Sequence, residues 1–99
     1  MATVYTSGEW RTKEGREQDF MSLWQDFASW TIENFPEAAG AKLLQNRDNS
    51  TSFISIGQWE KEEAIPAWRG SEEFQERMAK IRETLDGMEM RSLDVVAEV

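Results

Sequence analysis

The sequence predicts an α+β fold of β-α-β-β-α-β order, and three patterns predict it. Phe20, Leu23, Trp24, Phe27, Trp30 and Thr31 recur at the i, i+3, i+4, i+7 spacing of one helical face. Two strand-like segments flank Asp48-Asn49-Ser50, whose short polar side chains suit a turn. A second helical stripe, Phe74, Met78, Ile81, Arg82 and Leu85, leads into a closing apolar segment.

Residues 2–10, from Ala2 to Trp10, read as the first strand, with Val4, Thr6, Gly8 and Trp10 on one face and Tyr5, Ser7 and Glu9 on the other. Residues 12–15 make a polar turn in which Thr12 is the expected helix cap, while Glu14 and Glu17 suit the positive end of the helix that follows. Met21, Ala28, Ile32 and Phe35 widen its apolar stripe, so this helix should be buried on more than one side, by a sheet beneath and a second subunit beside it. Pro36 ends it, because proline disfavours helical geometry at Phe35.

Residues 40–47 and 51–60 form the predicted hairpin. In its second strand Phe53, Ser55, Gly57 and Trp59 alternate with Ser52, Ile54, Ile56 and Gln58, so both faces carry apolar groups. Gly57 points to a bulge or to the close approach of something bulky. Residues 62–69 read as a short helical turn distorted by Pro66 and broken at Gly70, with Ser71 capping the next segment. Gly87 is expected to end that helix and residues 88–99 to form the last strand, bulged between Met90 and Leu93 where the alternation breaks. Such an order is ferredoxin-like, an antiparallel sheet with helices on one face. Two copies placing their bare sheet faces together would make an isologous homodimer.

A chain of 99 residues is of single-domain size, taken here as residues 1–99, and its core must be modest. Five Trp and five Phe are many for that length, so large rings must fill a core, a pocket or an interface. Trp10 and Trp30 suit either packing or a dimer contact. A formal charge of −8 argues against nucleic acid and against anionic membranes, both of which draw affinity from clustered Lys and Arg. No apolar run reaches the length of a spanning helix and no signal-peptide pattern opens the sequence, so a cytoplasmic location is expected. With neither His nor Cys, Ser-His and Cys-His catalysis and the usual zinc sites are excluded, and no metal or cofactor is expected. The acidic residues Glu60, Glu62, Glu63, Glu72 and Glu73 cluster near helix starts, where dipole effects alone account for them.

Thr12-Lys-Glu-Gly15 opens a helix with Phe20 and Trp24, Glu37-Ala-Ala-Gly40 leads into a strand, and Gly57-Gln-Trp-Glu60 is followed by Glu63-Ala64 and then by Ala67-Trp-Arg-Gly-Ser71 with Glu73-Phe74. In this order the stretches resemble the antibiotic biosynthesis monooxygenase (ABM) family, the last of them its helix signature. The resemblance implies a dimeric α+β barrel with a pocket in each subunit between sheet and helices. It also implies oxidation of phenols and anthrones by molecular oxygen without metal or flavin, or, in a related branch, haem degradation. That branch uses a first-strand Asn, a Trp and a His; here Trp68 matches, Met78 stands at the His position, and the Asn position falls near Gly8. Haem chemistry therefore lacks its imidazole, although Met is a possible haem ligand.

Cofactor-free oxygenation needs donors that favour a substrate anion. Trp68 and Arg69 are the catalytic candidates, Arg69 as a direct oxyanion partner, with Asn46 and Tyr5 as further donors. A hydrophobic aromatic ligand would be bound by Tyr5, Phe20, Trp24, Phe27, Asn46, Trp59, Phe74 and Met78. The same rings would equally serve to fill the core. The expected function is a monooxygenase acting on an aromatic, phenolic or quinonoid small molecule, the alternative a non-catalytic dimer that binds a hydrophobic metabolite.

Overall fold

The computed structural model describes residues 3–99, so Ala2, placed in the first strand above, lies outside the described residues. The elements run β1 (Val4–Thr12), α1 (Glu17–Asn34), β2 (Ala38–Gln45), β3 (Ser52–Trp59), α2 (Ala64–Arg69), α3 (Glu72–Arg82) and β4 (Leu85–Asp94). This is the predicted α+β order with the second helical region divided at Gly70-Ser71. The strands form one antiparallel sheet in the order β2-β3-β1-β4. An extent of 18 Å along the shortest axis corresponds to two layers, since a sheet and its covering helices stack roughly 10 Å apart.

The alternation along β1 decides which face the helices cover. Val4, Trp10 and Thr12 are buried on the helical side, with Thr6 and Gly8 between them, whereas Tyr5, Glu9 and Arg11 point to the opposite face. In the register, Trp10 lies opposite Phe53 on β3 and Met88 on β4. The ring of Phe20 from α1 sits between Trp10 at 5.5 Å and Phe53 at 4.9 Å and is fully buried. A second aromatic group fills the other end: Phe27 packs 5.7 Å from Trp68 and 5.5 Å from Phe74, and Trp59 packs 5.0 Å from Trp68. Each such ring contributes about 1.5–3 kcal/mol by leaving water.

Several expectations need correction. Thr12 ends β1 and caps nothing; the residue before α1 is Arg16, which makes no side-chain capping bond, and the Thr12 hydroxyl is buried without a partner. Pro66 does not distort its helix, because it is the third residue of α2, where backbone N–H groups lack intrahelical acceptors in any case. Gly87 does not end α3 but lies within β4. The helix stops at Arg82, and Thr84 caps the end by donating its hydroxyl to the Ile81 carbonyl at 2.7 Å. The register of β4 against β1 is continuous from Gly87 to Asp94, so there is no bulge between Met90 and Leu93; the shift falls at Arg11/Thr12. Strand β4 stops at Asp94 rather than Val99.

Other expectations hold. Phe35 leaves α1 with φ −126° and ψ 95°, the extended geometry that the following Pro36 imposes. Ser71 caps α3 by accepting from the Phe74 backbone N–H at 3.2 Å.

Phe20→Ala should lower the free energy of unfolding by about 3–5 kcal/mol, because the ring has no exposed surface through which the site could collapse. Urea denaturation followed by tryptophan fluorescence measures this, and a loss well under 1 kcal/mol would show that Phe20 does not anchor the core.

Candidate functional site

Three indole N–H groups shape the space between sheet and helices. Trp10 folds back along its own strand over Gly8, so closely that a Cβ at Gly8 would lie 2.6 Å from indole ring atoms. That placement carries the Trp10 Nε1–H to Ser55, the cross-strand partner of Gly8, where it donates to Oγ at 3.0 Å. Trp59 repeats the arrangement one pair along, donating Nε1–H to Thr6 Oγ1 at 3.1 Å beside Gly57, the partner of Thr6. A Cβ at Gly57 would lie 3.1 Å from that hydroxyl, so the group that approaches Gly57 closely is a small hydroxyl rather than a bulky one, with no register shift in β3 against β1. The third indole, Trp68 of α2, donates to Thr31 Oγ1 at 2.9 Å, and Thr31 in turn donates to the Phe27 carbonyl at 2.9 Å.

Between them lies a narrow cleft with a cavity volume of about 40 Å³, partly open to solvent. Thr6, Gly8, Ser55 and Gly57 form its floor, Trp24 and Phe27 its roof, and Trp59 and Trp68 one end. Among the described residues no charged side chain lines it. The floor is low because glycine and small hydroxyl residues occupy the inward positions of the two central strands, leaving a gap that larger side chains would fill.

Of the residues predicted from sequence, Trp24, Phe27, Trp59 and Trp68 meet at this cleft. The others lie elsewhere. Tyr5 is on the opposite sheet face, its hydroxyl 3.3 Å from Gln58 Oε1. Asn46 is exposed in the hairpin turn, where its Oδ1 accepts from the Asp48 N–H at 2.8 Å. Phe20, Phe74 and Met78 are core residues behind the walls. Arg69 points past the cleft toward Ser92, 3.5 Å away, and its Nε is buried without a partner. Trp10 is 2% exposed, which removes it from any dimer contact, and Trp30 is half-buried beneath the Arg77 guanidinium, 4.7 Å from the ring centre.

Sequence reasoning missed Thr6, Ser55 and Thr31. A signal was present: Thr6-x-Gly8 and Ser55-x-Gly57 place small and polar residues at core-facing positions of two strands otherwise occupied by Val4, Trp10, Phe53 and Trp59.

Among the described residues no group of three or more His, Cys, Asp or Glu is arranged to hold a metal ion, and no helix is long and apolar enough to cross a membrane. A sequence model described as antibiotic biosynthesis monooxygenase matches residues 3–80. The chain belongs to that family. As an ABM-family chain it shares its fold with SnoaB, a cofactor-independent oxygenase from Streptomyces nogalater, at a TM-score of 0.89 and 18% identity, covering 100% of this chain and 98% of that one. A conserved protein from Methanosarcina mazei Go1 is also similar, at a TM-score of 0.83 and 19% identity over 94% of this chain and 92% of that one. No curated protein matches the sequence.

Gly8→Ala should displace the Trp10 indole and break its bond to Ser55, costing about 1–3 kcal/mol through overpacking. The near-ultraviolet circular dichroism of the tryptophans and a thermal melt read this out; unchanged spectra and stability would mean that the indole does not lie on Gly8.

Proposed function

We propose that this ABM-family chain is a cofactor-independent monooxygenase for an aromatic, phenolic or quinonoid small molecule, acting as a cytoplasmic homodimer. The observation that carries the reading is the cleft itself, walled by Trp24, Phe27, Trp59 and Trp68 and free of charged side chains. Flat aromatic walls suit a flat aromatic ligand, and a dry lining strengthens any electrostatic contact within it. The fold shared with SnoaB, itself a cofactor-independent oxygenase, supports the same reading.

The chemistry is placed on the substrate. A deprotonated anthrone or hydroquinone passes one electron to oxygen, and the resulting radical pair joins through a new carbon–oxygen bond. For an anthrone methylene, cleavage of the oxygen–oxygen bond leaves one oxygen in the product carbonyl while the other departs as water. The methylene supplies both hydrogens of that water and all the electrons, so no external reductant enters. With no carboxylate, Lys or Arg lining the cleft among the described residues, the first proton goes to water rather than to a side-chain base.

The dimer rests on the uncovered sheet face. There Leu44, Ile54 and Leu93 are 52%, 46% and 42% exposed, and Ile56 and Tyr5 stand half-buried among them. Arg91 bridges Glu9 at 2.6 Å and Glu89 on the same face, and its pKa is raised, first by the hydrogen bond to Glu89 and then by that to Glu9. Apolar side chains around a self-paired ionic cluster suit a second copy. Light scattering at micromolar concentration should give the dimer mass, and a monomer would remove this part of the proposal.

Oxygen consumption in the presence of a chelator, against anthrones, hydroquinones and haem with a reductant, tests the activity. Uptake with an anthrone or hydroquinone above the uncatalysed rate is expected. Trp68→Phe should leave the dimer folded but reduce turnover roughly tenfold, because the wall then loses its tie to Thr31. Silence across the panel despite saturable quenching of tryptophan fluorescence would replace the enzyme with a binding protein for a hydrophobic metabolite.

A further inference from the structure

Thr6 and Ser55 each accept an indole N–H, yet among the described residues neither hydroxyl donates to a protein acceptor. Thr31, the third hydroxyl of the cleft, is different, because its proton is engaged by the Phe27 carbonyl. A hydroxyl carries one donor and two acceptor positions, so at Thr6 and Ser55 it is the proton that remains. Both residues are buried and line the cleft floor. Acceptance from an indole polarises each oxygen and strengthens the bond its own proton can make.

We infer that the Thr6 and Ser55 hydroxyls form a two-donor site for the oxyanion of a phenolate or enolate ligand. The pairing of Thr6 with Gly57 and of Gly8 with Ser55 sets the two hydroxyl residues diagonally across β1 and β3. Cβ atoms so placed are separated by roughly 7 Å or less. The Trp10 indole covers Gly8, whereas a Cβ at Gly57 would meet nothing closer than the Thr6 hydroxyl at 3.1 Å, so the open floor beside the two hydroxyls lies at Gly57 and a ligand oxygen would enter there. The site selects by charge as well as by position. Among the described residues no Lys or Arg lines the cleft, which disfavours a carboxylate or phosphate bearing concentrated charge, and no Asp or Glu lines it to repel the diffuse charge of a ring oxyanion. The inference rests on the oxygenase reading for its catalytic meaning, since a cleft without a base promotes deprotonation only by favouring the anion.

The test uses para-nitrophenol, whose phenolate is coloured and whose ring is too electron-poor to reduce oxygen, so it reports the site apart from turnover. The protein should bind the phenolate in preference to the neutral phenol and move the ionisation of the bound probe to lower pH. Thr6→Val and Ser55→Ala should each weaken phenolate binding roughly tenfold, the scale of one hydrogen bond to a charged group. Thr6→Ser and Ser55→Thr, which keep the hydroxyls, should retain it, and para-nitroanisole, which cannot ionise, should bind all variants alike. Failure of the unaltered protein to bind the phenolate, or hydroxyl-free variants that bind it undiminished, would overturn the inference. So would equal losses for phenolate and anisole. Hydroxyl-dependent phenolate binding without oxygen uptake on any anthrone would keep this site and overturn the oxygenase reading.

Discussion

A buried indole N–H must find an acceptor, and three tryptophans meeting that requirement organise this molecule. An unpaired buried donor costs about 1–3 kcal/mol, a large share of the stability available to a chain of this size. Trp10, Trp59 and Trp68 are 2%, 2% and 4% exposed, and each resolves the constraint with a hydroxyl. Hydroxyl acceptors therefore stand where a packed core would place aliphatic groups. Glycines beside two of them give the indoles room to reach, and the cleft is the space that results.

The same bonds make the cleft polar in a restricted sense. Its aromatic surfaces exclude water, the hydroxyls of Thr6, Ser55 and Thr31 that line it are each tied to an indole, and among the described residues formal charge stays outside. Ion pairs such as Arg16 with Asp19 and Arg91 with Glu9 lie on the surface, where their contribution is small. A site of this kind has no acid or base with which to act on a ligand. Under the proposed function it would act by setting which protonation state of the ligand it prefers, which suits a substrate that carries its own reducing power.

Much of the fold was legible because it depends on local pattern. The α1 stripe from Phe20 to Thr31, the hairpin turn at Asp48-Asn49-Ser50, the stop at Pro36 and the Ser71 cap all follow from spacing or from the chemistry of one or two residues. The misreadings came where a local signal had two physical meanings. Gly87 looks like a helix stop but sits in a strand opposite Arg11, and Thr12 looks like a helix cap but ends β1 because the strand pairing outlasts it. Among candidate site residues, Tyr5 and Phe20 illustrate the limit. Tyr5 is an apparent ligand donor by residue type, yet strand alternation sets it on the face away from Trp10, and Phe20 is core because its partners, Trp10 and Phe53, come from distant strands.

The sequence by itself determined the element order, the aromatic wealth, the lack of His and Cys chemistry, and the motifs that place the chain in its family, since all of these are properties of neighbouring residues or of composition. Only the tertiary structure decided which rings face the cleft and which fill the core, that Arg69 turns away, and that Thr6 and Ser55 are the polar groups on its floor. Those outcomes depend on strand register and on how α1 and α2 lie over the sheet. Both are fixed by contacts between residues dozens of positions apart, which no local pattern encodes.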